Sequence, residues 1–161
     1  MKKIVPVIFI LLSGIASNTQ EVQKIKITDL EKTISESKTP LIVNFWATFC
    51  IPCLEEIPYF EESVKRHRKD SLKLLLVSLD LKDDYNKIRP FAAKRKFTSK
   101  IVWLSETNAD YFCPKIDSAW SGALPATLFV NNKTGYRKFY EEKIQEDKFE
   151  KEITAILGKK D

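Results

Sequence analysis

The sequence predicts an α/β fold in which a central mixed β-sheet carries helices on both faces. Two apolar runs rich in β-branched and aromatic residues, 41–46 and 72–79, are typical of buried central strands. A third run, 125–131, precedes a turn cluster and the segment 136–140, which together predict a β-hairpin. Segments of helical periodicity alternate with these strands, and this alternation indicates a layered α/β domain.

The first half of the chain also contains weaker elements. Residues 22–27 alternate apolar and charged side chains, which predicts an edge strand. Thr28 or Asp29 can cap a short helix that runs to about residue 37. A longer helix is predicted over 51–68, because one face of it is apolar through Leu54, Ile57, Phe60 and Val64. Pro58 lies inside this helix and is expected to kink it.

The second half of the chain contains four further elements. A helix is predicted from residue 83 or 84 to between 92 and 96, followed by a short strand or extended segment over 101–104. Residues 109–119 are predicted to form a short helix within a loop. An amphipathic helix is predicted from 145 or 146 to 157, and Gly158 supplies its C-terminal cap.

The N-terminus has the pattern of a secretory signal. A basic start at Lys2 and Lys3 precedes an apolar run over 4–12, and small residues follow over 13–17. The apolar run is shorter than the ~20 residues that a transmembrane helix needs. We therefore predict a signal peptide over 1–17, a single domain over 22–158 and an exported protein, periplasmic or extracytoplasmic. The alternative is that the segment is retained as a membrane anchor.

The charge pattern argues against nucleic acid as a partner. The full chain carries a net charge of +5, and its basic residues lie in scattered clusters beside acids or near predicted helix ends. Such clusters are typical of solvated surfaces. The run 65–69 could still meet an anionic membrane surface or an acidic partner.

The chain has three cysteines, and two of them form the motif Cys50-Ile51-Pro52-Cys53. The motif follows a buried strand directly and opens a helix. Unpaired N–H groups and the helix dipole at that position favour a thiolate, so Cys50 is expected to have a depressed pKa. Cys50 is then the attacking thiolate, and Cys53, one turn deeper, resolves the mixed disulfide.

The motif also allows two other interpretations, and the sequence argues against both. A zinc half-site would need two more ligands, and only Cys113 and His67 remain, without a second paired half-site. A purely structural disulfide would close a loop too short to remove much entropy from the unfolded chain. Redox chemistry is the favoured interpretation, with no metal and no cofactor.

The segment from Phe45 to Cys53, together with Pro58, resembles the active-site signature of the thioredoxin superfamily. The segment from Gly122 to Val130 resembles the part of that family that holds a cis-proline. The resemblance implies a thioredoxin-like fold and a cis Leu124–Pro125 peptide bond that faces the cysteine pair. It also implies that Trp46, Leu124 and Pro125 contact the substrate, whose extended chain would pair with the backbone beside Pro125.

Within the superfamily, the chain is most similar to exported TlpA/ResA-type thiol-disulfide oxidoreductases. Cytoplasmic thioredoxins carry an acid where this chain has Asn44, whereas the TlpA/ResA branch carries one three residues after the second cysteine, here Glu56. The likeness implies that Glu56 accepts the proton of the resolving thiol or tunes its reactivity. The alternative that Glu56 is an exposed helix residue stays open, because Glu55 is an adjacent acid.

The resemblance implies an enzyme that exchanges its dithiol with exported protein thiols and disulfides, as a reductant recharged by a membrane thiol reductase. An oxidase or isomerase remains possible. A hypothesis of a different class is a copper-binding chaperone on the same fold, although such carriers resemble C-x3-C with a distant histidine. The role of Cys113 stays open between a buried core thiol, exchange with Cys50 and dimerisation.

Overall fold

A computed structural model describes residues 22–159, and the predicted signal peptide over 1–17 lies outside them. Six strands and five α-helices follow one another along these residues. They are β1 (Gln23–Ile25), α1 (Ile27–Ser35), β2 (Leu41–Trp46), α2 (Ile51–Arg66), β3 (Lys73–Ser78), α3 (Tyr85–Lys94), β4 (Lys100–Leu104), α4 (Ala109–Ile116), β5 (Ala126–Asn131), β6 (Tyr136–Tyr140) and α5 (Glu146–Ile156). No helix of this part of the chain is long and apolar enough to cross a membrane.

The strands form one mixed sheet in the order β1-β4-β3-β2-β5-β6. Strands β1, β4, β3 and β2 run parallel, whereas β5 and β6 are antiparallel to their neighbours. The predicted mixed sheet is confirmed, and the segment predicted as an edge strand over 22–27 contains one, although it is confined to Gln23–Ile25 because α1 begins at Ile27. The hairpin of β5 and β6 is also confirmed.

Alternate residues of β2 and its neighbours build two separate cores. Ile42 and Trp46 face α2, α3 and α5, while Val43 and Phe45 face α1 and α4. Because both faces of the central strands are covered, β2 is buried along its whole length. Helices therefore lie on both faces of the sheet, as the sequence predicts.

Predicted bounds of three helices are wrong by a few residues. Helix α1 begins after Lys26 and ends at Ser35, so Thr28 and Asp29 lie inside its first turn instead of capping it. Helix α2 ends at Arg66 rather than 68, because a 3₁₀ turn over 68–70 follows it. Helix α4 ends at Ile116 rather than 119, since Asp117 has extended backbone angles. Gly158, with φ of +66°, follows the last turn of α5 as predicted.

Candidate active site

The cysteine pair lies at the start of α2, directly after the loop that connects this helix to β2. Cys50 is the N-cap of α2, and its N–H donates to the carbonyl of Ala47 at 3.0 Å. Cys50 and Cys53 are joined in a disulfide with Cα atoms 5.3 Å apart. Cys50 is 7% exposed and Cys53 is 0% exposed, so only one sulfur can be reached from outside. The predicted order of depth in the pair is confirmed.

A buried carboxylate holds the loop that leads into Cys50. The side chain of Asp80, at the end of β3, accepts hydrogen bonds from Thr48 N–H at 3.0 and 3.2 Å and from the Thr48 hydroxyl at 2.5 Å. The Ser78 hydroxyl donates to the same carboxylate at 2.7 Å. The Trp103 indole N–H donates to the Asp80 carbonyl at 2.7 Å. These bonds tie the motif loop to the neighbouring parallel strand, so the position of Cys50 depends on β3 as well as on β2.

Glu56 is fully buried on the inner face of α2, which it shares with Cys53. Its Oε1 accepts from Asn44 Nδ2 at 2.8 Å, and its Oε2 accepts from Ile144 N–H at 3.0 Å. Burial raises the pKa of Glu56 to about 7, although the hydrogen bonds from Ile144 and Asn44 and the charge of Lys143 oppose the rise. The carboxyl can therefore take up or release a proton near neutral pH.

Glu55, the adjacent acid, points the other way. Its side chain is exposed and pairs with Lys143 on the loop before α5. The structure thus places Glu56, and not Glu55, on the buried face that carries Cys53.

Asn44 links this carboxyl to the sheet. Its Nδ2 also donates to Thr127 Oγ1 at 3.0 Å, across the antiparallel pair that joins β2 to β5. Asn44 Oδ1 is buried without a hydrogen-bond partner within residues 22–159. Because the amide side chain of Asn44 does not ionise, Glu56 is the group that titrates in the contact between these two residues.

The Leu124–Pro125 peptide bond is cis, which confirms the prediction from the resemblance. Pro125 is buried directly before β5, and Leu124 is half-buried. Within residues 22–159, neither the N–H nor the carbonyl of Leu124 takes part in a hydrogen bond. These two main-chain groups are therefore available to a partner.

An open groove of about 660 Å³ joins Cys50 to the loop before Pro125. Its lining is mainly apolar. Three of the lining side chains are large, apolar and mostly exposed: Phe49 at 66%, Ile51 at 70% and Leu81 at 66%. Leu124 lines the same groove. Large apolar side chains that remain this exposed around a reactive group are typical of a binding surface.

Trp46 does not fit its predicted role. Its side chain is 0% exposed and packs near Phe91 and Phe97, with ring centroids 6.4 and 5.5 Å away. A tryptophan on the inner face of a central strand has no surface to offer a substrate. The predicted substrate contact of Trp46 is corrected to a packing role in the core beside the cysteine pair.

The remaining cysteine is buried, and the histidine lies far from the disulfide. Cys113 on α4 is 2% exposed, and burial raises the pKa of its thiol to about 11. His67 caps the far end of α2, about 25 Å along the helix from Cys50 at 1.5 Å per residue. It contacts Asp70 and Glu150 there. The copper-carrier hypothesis therefore lacks a histidine near the cysteine pair.

Sequence reasoning missed two groups of this site. They are Asp80, which follows the predicted strand over 72–79, and Glu141, which follows the predicted hairpin; neither belongs to a motif of the sequence. Asp80 could have been suspected, because an acid directly after a buried parallel strand lies at the same sheet edge as the cysteine motif.

Comparison with known proteins places these features in a family. A model of the AhpC/TSA family matches residues 13–135. Sporulation thiol-disulfide oxidoreductase A of Bacillus subtilis is 34% identical over 62 residues, which are 38% of this chain and 38% of that protein. The thiol-disulfide oxidoreductase ResA of Oceanobacillus iheyensis is 38% identical over 40 residues, 25% of this chain and 21% of that protein. The chain thus spans well under half the length of either relative.

Two solved structures share the fold. A thioredoxin-related protein from Neisseria meningitidis serogroup B superimposes with a TM-score of 0.64 at 26% identity, over 78% of this chain and 90% of that one. StoA from Bacillus subtilis superimposes with a TM-score of 0.55 at 23% identity, over 73% of this chain and 84% of that one. With its disulfide at the start of α2, its cis-proline loop and its match over 13–135, the chain belongs to the AhpC/TSA family of thioredoxin-like proteins and is similar to the thiol-disulfide oxidoreductases ResA and StoA.

Proposed function

We propose that this protein is a thiol-disulfide oxidoreductase that exchanges its Cys50–Cys53 pair with protein substrates, as a reductant. The observation that carries the proposal is a disulfide at the N-terminus of α2 with one reachable sulfur, opening into an apolar groove. The two ResA- and StoA-type relatives are named for the same chemistry.

The reaction needs the dithiol form, which two electrons and two protons produce from the disulfide. The Cys50 thiolate attacks one sulfur of a substrate disulfide and releases the other as a thiolate. The Cys53 thiolate then attacks the Cys50 sulfur of the mixed disulfide, which expels the second substrate thiolate and restores the Cys50–Cys53 bond. The substrate gains the two electrons that the protein loses.

Glu56 is the proposed proton acceptor for Cys53. Cys53 is fully buried and must lose its proton before it can resolve the mixed disulfide. Glu56 lies three residues further along the same buried helix face, and its pKa of about 7 suits proton transfer at neutral pH. Its hydrogen bonds to Asn44 and Ile144 fix where that carboxyl sits.

The substrate is proposed to be a protein segment in extended conformation. The free N–H and carbonyl of Leu124 can pair with the main chain of such a segment, as a strand edge does. Phe49, Ile51 and Leu81 would then cover apolar side chains beside the substrate cysteine. Leu124 is therefore the proposed main-chain contact of the substrate. Pro125, which is buried beside it, stays a proposed substrate-binding residue on the family resemblance alone, and Trp46 is not proposed.

We further propose that the protein works outside the cytoplasm. The N-terminal pattern over 1–17 and the resemblance to exported oxidoreductases support this location. A reductant in that compartment has no cytoplasmic thiol pool to recharge it, so a membrane thiol reductase is the proposed electron donor.

The reduction potential of the Cys50–Cys53 pair tests the direction of electron flow. It is measured on the full chain with Cys113→Ser by equilibration with thiol buffers of known potential. A value near that of thioredoxin, about −270 mV, supports a reductant, whereas one near that of DsbA, about −120 mV, shows that the protein inserts disulfides instead.

Trapping tests the roles of the two cysteines. With Cys53→Ser, a mixed disulfide between Cys50 and a disulfide-containing peptide should accumulate, because no thiol resolves it. The matched variant Cys50→Ser should trap none. Trapping through Cys53 instead would contradict the assignment.

The apolar rim of the groove has its own test. Phe49→Ser should slow reduction of a peptide disulfide about tenfold without changing the reduction potential, because an exposed aromatic contact of about 1.5 kcal/mol is lost. Tyr111→Ser is the matched control, since Tyr111 is 48% exposed but does not line the groove. Equal losses in both variants would show that the groove does not hold the substrate.

A further inference from the structure

The loop that leads to Leu124 accepts its main support from one side chain, which directly follows the β5–β6 hairpin. Glu141 follows β6 directly, and its carboxylate accepts from Ser121 N–H at 3.0 and 3.1 Å and from Ala123 N–H at 2.8 Å. The Ser121 hydroxyl donates to the same carboxylate. Three donors of one short loop thus converge on one acid, 18 to 20 residues away in the chain.

Trp120 provides a second set of contacts that hold the same loop. The Trp120 indole N–H donates to the carbonyl of Ala123 at 3.0 Å. The ring of Trp120 packs against Phe45, with centroids 4.4 Å apart. Gly122 supplies the bend between the two sets of contacts with a φ of +97°, a backbone angle that other residues rarely adopt.

These bonds leave a defined set of free main-chain groups. The N–H of Ser121 and both the N–H and carbonyl of Ala123 are occupied within the chain. The N–H and carbonyl of Leu124, the next residue, have no partner among residues 22–159. Leu124 lines the groove that also contains Cys50, so these contacts fix the position of its free main-chain groups beside that groove.

The charge of Glu141 matters to this contact. Burial acts to raise the pKa of Glu141, but the hydrogen bonds from Ser121 and Ala123 outweigh it, so its pKa lies below the ordinary value. Backbone N–H groups that converge on an anion bind the ionised form best. An uncharged amide of the same size would present an N–H group to some of these donors.

From these contacts, we propose that Glu141 is a positioning residue for protein substrates: its carboxylate holds the Ser121–Ala123 loop so that Leu124 can pair with the substrate main chain beside Cys50. The role rests on the proposed oxidoreductase function. Glu141 does not touch the reacting sulfurs in this account, so it governs how a polypeptide docks and not how the cysteine pair reacts.

The test compares a substrate that needs docking with one that does not. Reduced full-length protein is reacted with a peptide disulfide and, separately, with the small reagent 5,5′-dithiobis(2-nitrobenzoate). Glu141→Gln should slow the peptide reaction about tenfold or more, because a misplaced docking edge weakens the productive geometry. The rate with the small reagent, and the equilibrium constant for exchange with a thiol buffer from which the reduction potential is derived, should stay within about twofold of the values of the unmodified protein.

Glu142→Gln is the matched control. Glu142 is the next residue, is exposed and pairs with Lys148 without contacting the loop. It removes the same charge and should leave both rates unchanged. Ser121→Ala, which removes only the hydroxyl donor, should give a smaller loss than Glu141→Gln in the peptide reaction alone.

Amide hydrogen exchange separates this proposal from the proposed function. The Ser121 and Ala123 amides should exchange at least about tenfold faster in Glu141→Gln than in the unmodified protein and in Glu142→Gln. Unchanged exchange, or equal slowing of the peptide and small-reagent reactions, would overturn the positioning role. If the unmodified protein reduces no peptide, the oxidoreductase function fails, and the positioning role, which requires that function, fails with it. Faster exchange in Glu141→Gln would then show only that Glu141 holds the loop.

Discussion

Replacing Glu56 by glutamine should make the protein more stable at alkaline pH. Glu56 has no exposed surface, and burial raises its pKa from 4.5 to about 7. A buried carboxyl with a raised pKa binds its proton more tightly in the folded protein than in the unfolded chain. Removing that proton therefore costs folding free energy, and a neutral amide of the same shape avoids the cost.

The pH window follows from the two pKa values. Below about pH 4.5 the carboxyl is protonated in both states, so it contributes no penalty. Between about pH 4.5 and 7 the unfolded chain has lost the proton and the folded protein has not, so stability falls as pH rises. Above pH 7 the penalty is constant. The interval corresponds to about 3 kcal/mol.

Glutamine can keep the local contacts. Its carbonyl can still accept from Ile144 N–H, and its N–H group can donate to Asn44 Oδ1, which has no partner within the described residues, once the Asn44 amide turns over. The expected gain of Glu56→Gln over the unmodified protein therefore rises from near zero at pH 4.5 to about 3 kcal/mol at pH 8.

Urea unfolding of the disulfide form at pH 4.5, 6 and 8 measures this difference. Groups that titrate in both proteins cancel when the two curves are subtracted. Glu55→Gln is the control, because its exposed pair with Lys143 should contribute no more than about 1 kcal/mol at any of these pH values. A difference between Glu56→Gln and the unmodified protein that does not change with pH would refute the burial argument.

Three further outcomes are expected. Asp80→Ala removes the acceptor of the Thr48 N–H and should lower the free energy of unfolding by about 1–3 kcal/mol in urea, while Asp83→Ala on the exposed turn should change it by less than about 0.5 kcal/mol; equal effects would contradict the loop contact. In the oxidised protein Cys113 is the only free thiol, and a pKa raised from 9.0 to about 11 should slow its alkylation by iodoacetamide about 100-fold at pH 8 relative to the urea-unfolded protein. Comparable alkylation rates would show that the site opens. Gly122→Ala should cost about 1–2 kcal/mol, since its φ of +97° strains an alanine although the added carbon meets only ordinary contacts; an unchanged Tm would contradict this.

Local composition was sufficient for the elements that build the sheet. The run 41–46 is apolar without alternation because helices cover both of its faces, and such a run predicts a buried parallel strand directly. The ends of α2 and α4 were wrong, since tight turns and an extended residue end these helices where the local pattern could continue.

The candidate site divides in the same way. The sequence by itself determined the chemistry of the cysteine pair, because C-x2-C after a buried strand puts two sulfurs within bonding distance at a helix N-terminus. It also determined the cis bond at Pro125 through the family resemblance. It could not separate Glu56 from Glu55, since one step along a helix turns a side chain by about 100° and either acid could have faced inward.

Only the tertiary structure decided which groups surround that pair. Asn44 and Ile144 donate hydrogen bonds to Glu56 from elsewhere in the chain. Burial of that carboxyl in the folded interior raises its pKa, and these hydrogen bonds only partly offset the rise. Trp46 is buried in the core because helices cover both faces of β2. Asp80 holds the loop before Cys50, and Glu141 holds the loop before Leu124, through hydrogen bonds between residues 18 to 32 positions apart in the chain. No local pattern encodes such contacts, because they form only when the sheet brings distant strand ends together.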